Sequence, residues 1–160
     1  MPNKYGMRGC IPEPVKSVVE SFSGTNGTAV GITINGTSVN RGQNYSFGAG
    51  GYIVNYTALS NQNYSLYENY LNLTINKVSS QVFMYVNNTR SNINLTAGAI
   101  ININATLQAG EGIIQIIRNG TIVNSGDSPL FNLTAFDDIG YFNYTAFYPA
   151  TQNYTSFSET

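Results

Sequence analysis

The sequence predicts an all-β chain in which two antiparallel β-sandwich domains follow one another. Three observations carry this prediction: short runs that alternate apolar and polar residues, turn signals between those runs, and a long internal repeat. The stretch GYIVNYTALSNQNYS at residues 51–65 returns in looser form as GYFNYTAFYPATQNYT at residues 140–155. The matching NGT motifs begin 84 positions apart, and the matching NYTA motifs begin 88 positions apart. A repeat of this length is close to the size of a small β-sandwich domain.

Alternation with period 2 places the strands of each copy. The first copy is predicted to have strands near 28–34, 37–40, 44–48, 51–59 and 69–76. The second is predicted to have them near 81–87, 92–95, 99–108, 112–118, 121–124, 129–135 and 140–148. In the last of these, Tyr144 and Ala146 point into the core while Asn143 and Thr145 point outward. NYTA is therefore predicted to be a central strand that keeps its Tyr inside.

Two Asn-Gly pairs predict tight hairpins between neighbouring strands. Asn35-Gly36 and Asn119-Gly120 each separate two short apolar runs, and such two-residue turns need positive φ at both positions. Asn26-Gly27 is also predicted to be a turn. Further upstream, the apolar residues of PVKSVVESF at 14–22 fit a helical stripe better than strand alternation.

The composition argues against several classes of function. Charged residues make up 9% of the chain and its net charge is -1, so we expect no binding to nucleic acid or to anionic lipid. There is no His and only one Cys, which argues against an enzyme, a metal site or a cofactor. No apolar run approaches the roughly 18 residues of a membrane span. The polarity comes instead from 22 Asn, 15 Thr and 14 Ser residues.

Acceptor motifs for N-glycosylation are abundant, and the order Asn before Ser or Thr is much more frequent than the reverse order. An Asn stands two residues before Ser or Thr 13 times, whereas the reverse order, Ser or Thr two residues before Asn, occurs 4 times. Strand alternation has no direction, so it would produce both orders equally often. We therefore expect covalent N-glycans and an extracellular location. The candidate sites are Asn26, Asn35, Asn44, Asn55, Asn63, Asn72, Asn87, Asn94, Asn104, Asn119, Asn132, Asn143 and Asn153.

The middle residue of these motifs indicates where the glycans would lie. It is Tyr, Leu or Ala in nine of the 13 motifs and Gly in three. In a strand, an apolar middle residue faces the core while the Asn and the hydroxyl residue face outward. The sites are therefore predicted on outer faces and loop tips.

Both copies of the repeat have the same order of motifs: an NGT hairpin, then a form of GYxNYTAxY, then a form of QNYT. This order resembles the immunoglobulin-like repeats of bacterial and archaeal surface proteins. It covers roughly residues 28–77 and 98–155. The resemblance implies two immunoglobulin-like sandwiches and a cell-surface location, but no specific ligand. Low charge and dense acceptor motifs also resemble the glycosylated filament and surface-layer proteins of thermophilic archaea, including thread and pilus subunits that are joined by donor-strand complementation.

The ends of the chain depart from the repeat. The first copy continues after Ser65 with LYENYLNLTINK, whereas the second continues after Thr155 with only SFSET. We therefore divide the chain into an N-terminal arm at 1–23, a first domain at 24–77, and a second domain at 78–160 whose last strand is missing or stunted. Such a sandwich would leave an apolar groove. The arm alternates as a strand would, with Tyr5, Met7 and Ile11 on one face.

These features predict a structural subunit of an extracellular, N-glycosylated filament that serves adhesion or cell contact. The arm of one copy would fill the groove of the next, and this head-to-tail contact propagates. Two alternatives stay open. The chain could be a stalk segment of an archaeal adhesin or surface-layer protein, with the missing strand beyond Thr160. It could also be a carbohydrate-binding module whose Tyr side chains stack on sugars.

Overall fold

A computed structural model describes residues 16–17, 30–40 and 42–160, and every regular element in them is a β-strand. All the strand pairs of its sheets are antiparallel, so the prediction of an all-β chain is confirmed for these residues. The described residues divide between Lys77 and Val78 into two compact units. The proposed donor residues Tyr5, Met7 and Ile11, and the candidate glycosylation site Asn26, lie outside the described residues.

The strands of the N-terminal unit are β1 Lys16–Ser17, β2 Val30–Ile34, β3 Thr37–Ser38, β4 Tyr45–Ser46, β5 Gly50–Ala58 and β6 Tyr67–Ile75. The strands of the C-terminal unit are β7 Gln81–Val86, β8 Ala99–Ala109, β9 Ile114–Arg118, β10 Thr121–Gly126, β11 Leu130–Phe136, β12 Tyr144–Tyr148 and β13 Phe157–Glu159.

The N-terminal unit is built on one four-stranded sheet with the order β3-β2-β5-β6. β1 and β4 form a separate pair. Among the described apolar side chains of this unit only Ile34 is buried, and on the edge strand β6 Tyr67 and Leu71 are 55% and 53% exposed. Within its described residues the unit has no second sheet large enough to cover the first. The two-layer immunoglobulin-like domain predicted for 24–77 therefore stays a prediction.

The C-terminal unit has two sheets that share one hydrophobic core, as in a β-sandwich. One sheet has the order β11-β8-β7 and the other β10-β9-β12-β13. Alternate residues of both sheets meet in the core, where Ile103, Ile116 and Tyr148 are fully buried. The prediction that the side chains of Tyr144 and Ala146 point into the core is confirmed, because both are buried.

The internal repeat corresponds to one recurring sheet. β3-β2-β5-β6 in the first unit and β10-β9-β12-β13 in the second have the same strand order, and the two NYTA motifs lie in β5 and β12. The pairing register differs by two residues: Ile34 before the first hairpin pairs with Val54, whereas Arg118 before the second pairs with Tyr144. A shift of two residues preserves the face of every side chain, so the alternation of the motif survives.

The two Asn-Gly hairpins form as predicted. The φ angles are 48° and 79° at Asn35 and Gly36, and 49° and 84° at Asn119 and Gly120. Each Asn also locks its turn to the next central strand. The Oδ1 atom of Asn35 accepts a hydrogen bond from the backbone N–H of Ile53, and that of Asn119 accepts one from the N–H of Asn143, both at 2.8 Å.

This double role predicts different costs for two substitutions at Asn119. Asn119→Gly removes only the side-chain hydrogen bond, because glycine tolerates positive φ, and we expect a loss of about 1 kcal/mol. Asn119→Ala adds backbone strain at φ 49°, and we expect a loss of about 2 kcal/mol. Urea unfolding of unglycosylated chains measures both. Equal losses would mean that the turn conformation contributes nothing.

Three local predictions differ from the structure. No strand forms at 92–95, which lies in an irregular loop. A strand that the alternation did not mark, β13, pairs with β12 over three residues, so the last strand is present and short. Lys16–Ser17 is a strand and not part of a helix, whereas the rest of the segment 14–22 lies outside the described residues.

Candidate docking groove and glycosylation sites

A groove of about 850 Å³ opens at one end of the C-terminal sandwich. Its apolar lining on the strands comes from β7, β8, β11 and β12, where Met84 and Ile103 of one sheet lie opposite Tyr144 of the other. The irregular loop after β7 and the loop before β12 form its walls, and Glu159 and Thr160 close one side. The groove therefore lies beside the short last strand.

The pairing of β12 explains why this end is open. β12 pairs with β9 over Tyr144–Phe147, but with β13 only over Ala146–Tyr148. Within the described residues, no strand pairs with Tyr144 on the side away from β9. Tyr144 lines the groove, and its hydroxyl is buried and has no hydrogen-bond partner. An unpartnered buried hydroxyl is costly to stability.

Charged side chains stand at the edge of this groove. Arg90 binds both carboxylate oxygens of Glu159, at 2.8 and 2.9 Å from its Nη2, and its guanidinium lies 3.8 Å from the centre of the Phe83 ring. This pair ties the loop after β7 to the last strand. Arg118 lies 4.4 Å from the ring centre of Phe142.

Most candidate glycosylation sites in the described residues are exposed. Their side chains lie on loops, turns and outward strand positions, as predicted for glycan acceptors. These exposed sites are Asn35, Asn44, Asn63, Asn72, Asn87, Asn94, Asn119 and Asn143. Glycosylation of them stays a prediction.

Four candidate sites are half-buried: Asn55, Asn104, Asn132 and Asn153. The outward orientation predicted for the motif is wrong at Asn132. There Leu133 is 73% exposed and Thr134 only 8%, so the motif faces inward. The reason is that Leu130 and Phe136, six residues apart in β11, are both buried and fix the strand face. Asn153 donates a hydrogen bond from Nδ2 to Glu111.

A second polar cluster lies around Glu111. The Tyr148 hydroxyl accepts from the backbone N–H of Glu111 at 3.0 Å and donates to its carbonyl at 2.9 Å. Thr151 donates to the Glu111 carboxylate at 3.1 Å. Burial, with smaller contributions from the Glu111 carboxylate and Tyr148, raises the pKa of Tyr154. This cluster fixes the turn that follows β8 against β12, and it lies apart from the groove.

The raised pKa of Tyr154 predicts weaker folding at alkaline pH. In the unfolded chain Tyr154 loses its proton near its ordinary pKa of about 10, whereas in the folded chain it keeps the proton to higher pH. The contribution of Tyr154 to the free energy of unfolding is therefore constant below about pH 10 and decreases above it. Urea titrations between pH 8 and 11.5 should show a smaller fall for Tyr154→Phe than for the parent chain. Equal falls would contradict the assignment.

Comparisons with protein-family models, with curated proteins and with solved structures find no match to this chain. Among the described residues, no three His, Cys, Asp or Glu side chains are grouped so that they could hold a metal ion. The same residues contain no helix with the length and apolar character needed to cross a membrane.

The sequence indicated the groove only indirectly, through the short final segment. It gave no signal for the buried hydroxyl of Tyr144, because its place depends on side chains that are distant in sequence. The Arg90–Glu159 pair joins residues 69 positions apart and was missed for the same reason.

Proposed function

We propose that the protein is a structural subunit of an extracellular, N-glycosylated filament, assembled head to tail by donor-strand complementation. Immunoglobulin-like tandem domains and a role in adhesion or cell contact belong to the same proposal. The observation that carries it is the open groove beside β13, where no described strand pairs with Tyr144 on the side away from β9. A strand entering the groove would pair with this free stretch of β12 and cover the exposed apolar side chains of the groove walls, Leu95, Ile139 and Tyr141.

The proposed occupant is the segment 3–11 of a second copy. As a strand it would extend about 30 Å, with Tyr5, Met7 and Ile11 on one face and the cationic Lys4 and Arg8 on the other. The groove offers a complementary pattern. Its floor is apolar, and Asp138 lies among its lining residues, whereas the carboxylate of Glu159 is already paired with Arg90 of the same lining. Contact of Lys4 or Arg8 with Asp138 would favour one register of the inserted strand.

Deletion of residues 1–12 tests the proposal. Light scattering and negative-stain imaging of the intact chain should show long polymers, and the truncated chain should stay monomeric. Monomers from both chains would favour the alternative of a stalk segment, in which residues beyond Thr160 fill the groove. Polymers from both would mean that the arm is not the donor.

A peptide test separates the groove from other surfaces. A peptide of residues 3–11 should bind the truncated chain, and a control peptide with Gly6 and Met7 exchanged should bind at least tenfold more weakly, because the exchange breaks the alternation. Ile93→Asp, in the groove wall, should abolish binding. Ile122→Asp, at an exposed position on β10 outside the groove, should leave it unchanged. Thermal unfolding confirms that both variants are folded.

A further inference from the structure

The outer face of the sheet β11-β8-β7 has a candidate glycosylation site at its centre. Asn104 on β8 pairs with Tyr85 on β7 and with Phe131 on β11. Directly paired residues of neighbouring strands share a face, so the Asn104 side chain stands between two aromatic side chains. Thr106, the hydroxyl residue of the same motif, lies two positions on and faces the same way.

This outer face is apolar for a surface. Ile100 is 64% exposed, Phe131 51% and Leu133 73%, and all three lie on β8 or β11 around Asn104. A contiguous exposed patch of this kind usually marks a surface that something covers. The Phe83 ring at the neighbouring position on β7 is already covered by the guanidinium of Arg90.

Two polar atoms at the centre of the patch have no partner. Oδ1 of Asn104 and Oγ1 of Thr106 are both buried and make no hydrogen bond. The amide nitrogen of Asn104 makes no hydrogen bond to the described residues but is not fully buried, so it is the atom of this amide that solvent reaches. Burial without hydrogen bonds is costly for polar atoms, and such atoms are usually paired in native proteins.

We propose that Asn104 carries an N-linked glycan whose first sugar covers this outer face of the sheet. The sugar is a pyranose, and its C–H face lies on Tyr85 and Phe131. Amphipathic pyranose rings suit such a site, because one face is apolar and the edge carries donors and acceptors. The inference rests on the proposed N-glycosylation of the chain, and it assigns one glycan a structural role.

The order of events follows from the burial of the Thr106 hydroxyl oxygen. A transferase cannot use an acceptor motif whose hydroxyl is buried in a central strand, so the sugar is added before β8 pairs with β7 and β11. In that step Nδ2 of Asn104 gives a proton to a base of the transferase and forms a bond to the anomeric carbon of the sugar. The bond from that carbon to the phosphate of a lipid-phosphate-linked glycan breaks, and the lipid phosphate leaves.

Thermal unfolding of glycosylated and unglycosylated chains tests the covering role. In the glycosylated chain Asn104→Gln should lower the melting temperature by about 5 °C more than it does in the unglycosylated chain. The difference between the two backgrounds removes the effect of the substitution itself. Asn87→Gln, at an exposed turn site of the same unit outside the groove, should have equal effects in both backgrounds. Phe131→Ser should abolish the extra effect of Asn104→Gln.

Peptide mapping of the native protein separates the possible failures. An unmodified mass for the whole chain would overturn both the proposed glycosylation and this inference. Glycans at other sites with an unmodified Asn104 would overturn this inference alone. The third outcome is that Asn104 carries a glycan but Asn104→Gln lowers the melting temperature equally in the two backgrounds. This result would show that the glycan does not cover the outer face.

Discussion

Replacing Gly110 with alanine is expected to destabilise the C-terminal unit by about 2 to 5 kcal/mol. Gly110 follows β8 directly and has φ 148°, a conformation that side chains rarely adopt. A Cβ atom there would lie 2.9 Å from Cζ of Tyr148 and 3.0 Å from Cδ1 of Leu107. Such distances are well inside van der Waals contact, so one of these groups must move.

The Tyr148 ring has little freedom to move away from Gly110. Its side chain is fully buried, and its hydroxyl is held by two hydrogen bonds to the backbone of Glu111. Strain is therefore stored or the hydroxyl bonds are lost, and either outcome costs free energy.

Gly112 gives a matched control for Gly110→Ala. Its φ is 81°, but nothing lies within 4 Å of a Cβ atom built on it. Gly112→Ala therefore has backbone strain without the clash, and we expect a loss of about 1 kcal/mol. Urea unfolding of the two unglycosylated variants measures the difference. Similar losses would show that contact with Tyr148 is not the cause.

Much of the recurring sheet was predictable because its signals are local. The Asn-Gly hairpins depend on the backbone freedom of two residues, and the NYTA strands show their alternation within a few positions. β13 was not marked, since SFSET has no clear alternation. It becomes a strand because β12 offers a free edge and Arg90 holds Glu159.

The segment 92–95 is the reverse of β13, because a strand was predicted there and none forms. Its sequence, NINL, alternates, but two consecutive residues, Asn87 and Asn88, have φ of 48° and 64° and turn the chain away after β7. No strand of the described residues pairs with it. Alternation alone is therefore not sufficient for a strand, and a pairing partner decides whether the strand forms. The same limit explains why the groove and the patch around Asn104 could not be located from sequence.

The proposed docking groove and the proposed glycan use opposite faces of the same strand. Ile101 and Ile103 of β8 line the groove, whereas Asn102 and Asn104 alternate with them and point to the outer face. An inserted strand and a glycan on Asn104 would therefore not compete for space. Both proposals depend on which residues of β8 face the core, and this is set by the pairing register of β8. Substitutions on the two faces of β8 test that register.

Ile103→Ala verifies this register with a large expected effect. Ile103 is fully buried in the core, and removing its side-chain atoms leaves a cavity, so we expect a loss of about 2 to 5 kcal/mol. Ile100→Ala is the control on the same strand, because Ile100 lies on the outer face and is 64% exposed. We expect less than about 0.5 kcal/mol for it in the unglycosylated chain.

The pair of substitutions distinguishes a correct register from a shifted one. A slip of one residue would exchange the two faces of β8, so Ile100→Ala would become the costly change and Ile103→Ala the mild one. Urea unfolding of both variants in the unglycosylated chain gives the answer directly. A large loss for Ile103→Ala alone would also place Asn104 outside the core, and it is this position that allows its amide nitrogen to carry a sugar.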